Sequence, residues 1–109
     1  MSHQDIVRMA DMFRLLGDPT RLRVLLACLH APIAVGAIAC RLDVSPSLVS
    51  HHLRLLRAGR LVHGTRESRQ ILYRVADEHV AHMLTDMMAH AAEPIKAPAA
   101  VQTPLAQPA

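Results

Sequence analysis

The chain has 109 residues, a mass of 12.0 kDa, a formal net charge of +3 and a pI near 9.5. That length allows one domain with a modest core, and the mildly basic balance is compatible with a nucleic-acid partner without establishing one. With one Phe, one Tyr and no Trp, there is little with which to stack splayed single-stranded bases, which favours duplex DNA over single-stranded RNA.

Taken in order, Ile6, Met9, Ala10, Phe13 and Leu16 mark an amphipathic helix from about Gln4 to Leu16, stopped at Gly17. Asp18-Pro19-Thr20 restarts helix, with Asp18 as N-cap and Pro19 at the first position, where the missing N–H costs nothing. Leu22, Val24, Leu25, Leu26 and Leu29 make this second helix mostly buried, and Ala31-Pro32 breaks it. A short third helix runs from Val35 to Leu42, and Asp43-Val44-Ser45 forms a tight turn. Ser45 and Pro46 then open a fourth helix that ends at Gly59. Leu61–Thr65 and Ile71–Val75 read as strands of a hairpin joined by RESRQ. Asp77 caps a last helix through about Ala92, with Val80, Met83, Leu84, Met87 and Met88 as its apolar stripe. The Pro- and Ala-rich stretch from Pro94 has no amphipathic period and reads as a disordered tail, giving a folded unit of 1–93 and a tail of 94–109. The N-terminal MSHQDIVRMADMF has no long apolar run and nothing approaches membrane-spanning length, so neither a signal peptide nor a membrane partner is expected.

Two short helices around a tight turn, followed by a basic hairpin, match a mainly α winged helix-turn-helix with five helices and a β-hairpin wing. The fourth helix is then the element that enters the major groove. Ser45, Ser47, Ser50, His51 and Arg54 are its polar residues for base edges and phosphates. On the wing, Arg66 and Arg69 are placed for the backbone or an adjacent minor groove. The bland alternative makes Arg54, Arg57, Arg60, Arg66 and Arg69 a solvated face of a helix and a hairpin, but the charges coincide with a topology that needs them. His52 and His63 read as surface histidines with no assigned task.

The last helix carries a second chemistry. Asp77, His79, His90 and Glu93 are all metal-ligating types. The two histidines are separated by eleven positions, about three helical turns or roughly 16 Å of rise, and they point nearly the same way. Each end thus offers half of a four-ligand site, and a second copy of the helix running antiparallel would complete two equivalent sites. Two imidazoles and two carboxylates suit zinc, with cobalt as a substitute; nickel prefers more ligands, for which His82 and His3 are the candidates. The competing interpretation is a solvated helix with Asp77 as a plain N-cap and Glu93 as a frayed-end charge.

The segments LGDPTRLRVLLACL and LDVSPSLVSHHLRLLRAGRLV, with the hairpin and helix that follow, resemble the ArsR/SmtB family of bacterial metal-sensing repressors over about residues 5 to 93. The resemblance implies a homodimer, paired through its first and last helices, that binds palindromic operator DNA and releases it when its effector binds. One subgroup of that family carries a cysteine box on the third helix, and those positions here hold Ala34, Gly36 and Ala39. The other carries D-x-H and, ten residues on, H-x-x-[HE]; Asp77, His79, His90 and Glu93 fit it without a gap. By resemblance, Asp77 and His79 of one subunit join His90 and Glu93 of the other, and His90 is linked to the Arg60 backbone carbonyl near the end of the reading helix.

Two rivals complete the reading. Cys28 and Cys40 allow a redox- or sulfur-responsive repressor, although a small buried hydrophobe is the commoner fate of such thiols. A zinc hydrolase would need an open coordination position and a positioned general base, which nothing in the sequence supplies. The expectation is a cytoplasmic regulator with reduced thiols and no small organic substrate, not an enzyme.

Overall fold

Each helix begins where the sequence supplies a partner for otherwise orphaned backbone N–H groups. In the computed structural model, which describes residues 1–95, Ser2 opens α1 (His3–Leu16) through a capping box with Asp5. Asp18 caps α2 (Pro19–Ala27) by accepting from the Arg21 N–H at 2.9 Å. Strand β1 (Ile33–Ala34) leads directly into α3 (Val35–Leu42). Asp43, left-handed at φ 58°, ends α3, and Ser45 caps α4 (Pro46–Ala58) through the Leu48 N–H. Strands β2 (Val62–Glu67) and β3 (Gln70–Val75) form the wing, and Asp77 caps α5 (Glu78–Ala92) through the Val80 N–H. Among the described residues no helix is long and apolar enough to cross a membrane.

The predicted class holds: a mainly helical winged helix-turn-helix with five helices. The sheet has three strands in the order β1-β3-β2, all antiparallel. Strand β1 was not foreseen; Ile33 and Ala34 pair with Tyr73 and Leu72. The wing is also longer and tighter than the sequence indicated, with Glu67 paired to Gln70 across a two-residue turn and Ser68 at φ 59°. The expected tail from Pro94 falls, for residues 96–109, outside the described residues.

The core joins α2, α3, α4 and the wing base. Val24, Leu25, Ile38, Val49, Leu53, Leu56, Leu61 and Val62 are its best-buried members, and α5 contributes Leu84. Cys28 sits among them, whereas Cys40, for which burial was the commoner expectation, is exposed on the outer side of α3. The two ends of the chain differ. No residue of α1 is buried, and Ile6, Val7, Met9 and Phe13 lie exposed along it, as do Met87 and Met88 on α5.

Candidate nucleic-acid interface and metal half-sites

Helix α4 is amphipathic by construction. Val49, His52, Leu53 and Leu56 fall at helical spacing on its buried side. That leaves Ser47, His51 and Arg54 exposed on the other, with Ser50 half-buried at the boundary. Ser45 is also exposed, but its hydroxyl already accepts the Leu48 N–H at 3.1 Å, so its first task is the cap. Leu48 is exposed beside Ser47, an apolar residue on the outward surface that sequence reasoning missed; an exposed leucine there offers contact to a thymine methyl. Arg66 and Arg69 project from the wing, both exposed.

The arginines divide by partner. Arg8 and Arg14 pair with Asp5 and Asp11 along α1, Arg21 donates to the Leu15 carbonyl, and Arg23 reaches the Leu42 carbonyl. Arg74 donates to His63 at 3.3 Å, which gives that histidine a wing partner. Arg54, Arg57, Arg66 and Arg69 have no side-chain hydrogen bond or ion pair among the described residues. Arg41 on α3 and Arg60 after α4 are likewise without one among the described residues, so the uncompensated charge lies mostly, but not only, on α4 and the wing.

His52 departs from its expected surface position. It is 7% exposed, and its Nδ1 is buried with no hydrogen-bond partner among the described residues. The helical period decides this: His52 follows Val49 by three positions and precedes Leu56 by four, on the core side. Burial pushes its imidazole below the ordinary histidine value, against the opposing pull of the Asp18 carboxylate, while Arg21 and His51 add to the lowering.

At the start of α5, His79 Nδ1 lies 3.6 Å from Asp77 Oδ1. At its end, His90 Nδ1 lies 3.7 Å from Glu93 Oε1. All four side chains are more than half exposed, with His79 at 97%. Among the described residues no three His, Cys, Asp or Glu side chains cluster. One chain therefore brings the four residues together as two pairs at opposite ends of a helix, each with the donor types for half a tetrahedral zinc shell. Asp77 serves two ends: Oδ1 accepts the cap bond at 3.1 Å, and a carboxylate has a second oxygen for a further contact. Beside the first pair, an apolar groove of about 330 Å³ runs between α1 and α5, lined by Met12, Phe13, Leu16, Val80, Met83 and His79 among others.

Comparison with known proteins bears on the fold and the family. Residues 18–63 match the family described as "Bacterial regulatory protein, arsR family". The chain is similar to the HTH-type transcriptional repressor SmtB of Mycobacterium tuberculosis, at 39% identity over 83 residues, covering 76% of this chain and 62% of that one. The chain thus spans somewhat under two thirds of that relative's length. It is also similar to the transcriptional repressor SmtB homolog of Synechocystis, at 39% identity over 93 residues, covering 85% of this chain and 70% of that one. Among solved structures, a homodimeric winged helix-turn-helix DNA-binding domain from Mycobacterium bovis, a possible ArsR-family regulator, superposes with a TM-score of 0.76. Its identity is 28%, over 84% of this chain and 87% of that one. On matched sequence and shared fold, the chain belongs to the arsR family of bacterial regulatory proteins.

Proposed function

We propose that this chain is a metal-responsive transcriptional repressor that binds operator DNA as a homodimer and is released by zinc, or cobalt, at two intersubunit sites on α5. Family membership makes it a regulator and not an enzyme. Residues 1–93 would form the DNA-binding and dimerisation unit, with 94–109 as a tail.

The observation that carries the metal assignment is the pairing at the ends of α5. Asp77 with His79 and His90 with Glu93 are exposed half-sites that face no third ligand among the described residues. The observation that supports the dimer is the apolar surface of α1 and α5, where Ile6, Met9, Phe13, Met87 and Met88 lie open to solvent. An antiparallel pairing of α5 covers that surface and brings each half-site to the opposite half of its twin. When bound, zinc would crosslink the two terminal helices through those four side chains. His90 would then orient its remaining N–H toward the Arg60 carbonyl, at the corner between α4 and the wing. Arg60 holds that corner in a left-handed conformation at φ 62°. Linkage makes the coupling reciprocal, so operator DNA weakens zinc binding by the factor with which zinc weakens DNA binding.

The redox alternative loses support. Cys28 is buried, burial pushes its thiol up to about 12, and such a thiol is a poor nucleophile. The sensor assignment is tested by titrating a duplex, selected by the wild-type protein from a random library, with and without zinc. Wild type is expected to release it on adding zinc and His90→Ala to stay bound. A His90→Ala protein that still lets go shows that the site lies elsewhere.

A further inference from the structure

We propose that the cleft between α4 and the wing is a phosphate clamp, in which Arg57 and Tyr73, with Ser50 and Arg54, hold one backbone phosphate of the bound duplex. It rests on the DNA-reading assignment of α4 and the wing; it adds Tyr73, to which sequence reasoning gave no role, and gives Arg57, read there only as one of five basic charges, a specific place. Ser50, Arg54 and Arg57 recur at spacings of four and three, so they share one flank of α4. With Leu53 and Tyr73 they line a cleft of about 210 Å³. Leu53 is fully packed and forms its apolar wall. Tyr73 stands on β3 opposite Gly64, and a Cβ at Gly64 would come within 3.0 Å of the Tyr73 ring carbon Cε1. The bare glycine thus lets the ring lie across the neighbouring strand.

The chemistry of the cleft selects an anion with several acceptor oxygens. Two guanidinium groups one turn apart and two hydroxyls are its polar groups, and none of the lining residues is acidic. Neither arginine has an ion pair among the described residues, unlike Arg8 and Arg14 on α1. Position then selects the source. A helix in the major groove and a wing at the adjacent minor groove are separated by one sugar-phosphate strand. The cleft lies between those two elements, so a strand spanning them passes over it. Contacts of this kind fix register and orientation without reading sequence.

The test compares Arg57→Gln, Tyr73→Phe, Arg54→Gln and Arg66→Gln on the selected duplex and on an unrelated one, across a salt series. Arg57→Gln is expected to weaken both duplexes alike, by about tenfold, and to reduce the slope of log K against log salt by about 1. Tyr73→Phe keeps the ring and loses only the hydroxyl, so a loss of about threefold is expected. A scan of single methylphosphonate linkages should find one neutral linkage that weakens wild type but leaves Arg57→Gln unchanged. If Arg57→Gln binds as wild type with an unchanged salt slope while Arg54→Gln and Arg66→Gln weaken, the clamp is wrong and the DNA-reading assignment stands. If none of the arginine variants differs from wild type, that assignment falls as well. If inorganic phosphate binds wild type and not Arg57→Gln, yet both bind DNA equally, the cleft takes a free anion and the backbone assignment is overturned.

Discussion

The middle of the chain and its two ends are built to different standards. From α2 to the wing base, α2, α3, α4 and β2 each contribute fully buried side chains to one core. Helix α1 contributes none, and α5 is anchored through Leu84 with Val80 and Met83 packed beside it, while Met87 and Met88 remain open. A unit that completes its own core folds on local information. A helix with its apolar residues in water is complete only against something else. Under the proposed function the arrangement separates two tasks: the middle presents a reading helix, and the ends present an apolar surface and paired ligand types that a second copy would complete.

The largest expected effect tests whether the middle is self-sufficient. Leu56→Ala empties a fully buried position and is expected to cost about 3 kcal/mol in urea unfolding. Phe13→Ala removes a ring that is 56% exposed in one chain. Its cost should come through association, so it should grow as protein concentration is lowered through the dimer dissociation range. Melts of the Phe13 variant that track wild type at every concentration would remove α1 from the interface.

The next effect sharpens the two-sided role of Asp77. Asp77→Ala removes both the cap and the carboxylate, at about 1 kcal/mol of stability in the presence of a chelator. Asp77→Ser restores a cap acceptor for the Val80 N–H without an anionic ligand. The serine variant should therefore melt near wild type under chelator yet fail to release DNA with zinc. A plain N-cap at this position predicts instead that Asp77→Ser behaves as wild type in both assays.

What could be read from the sequence follows the same division. Asp18-Pro19 and Ser45-Pro46 announced α2 and α4 because caps and N1 prolines act within four residues. The turn between α3 and α4 was equally local. Strand β1 was not legible, since its two residues are defined by pairing with Tyr73 and Leu72 nearly forty positions away. The tighter wing has a similar cause: Arg66 and Glu67 extend the ladder because they have partners in Ile71 and Gln70. The half-sites were visible as four ligand types at fixed spacing, but a spacing along one helix cannot show what faces it. Tyr73 was missed, and Arg57 was read only as one of five basic charges, because their shared cleft exists only once the wing folds back on α4.

The smallest expected effect concerns His52, one of two adjacent histidines on α4 that the helical period places on opposite sides. The helix turns His51 outward and His52 into the core, where Nδ1 finds no partner. Burial lowers its folded pKa, so near pH 6.5 the unfolded chain binds more protons at this site than the folded one. Stability from this group is therefore intact above its unfolded value and is lost as pH falls toward the lower folded value. Asp5 and Asp18 are also held below the ordinary carboxylate range, by hydrogen bonds from Ser2 and from the Arg21 backbone, but their contribution is lost only in stronger acid, below about pH 3.8. The two windows do not overlap, which isolates the histidine. Urea midpoints measured with chelator between pH 5 and 8 should fall less steeply toward acid in His52→Gln than in wild type. His51→Gln, at the exposed neighbour on the same helix, is the control. Equal slopes in all three proteins would mean that the buried imidazole has a partner in solution and that the middle of the chain carries no unpaired group.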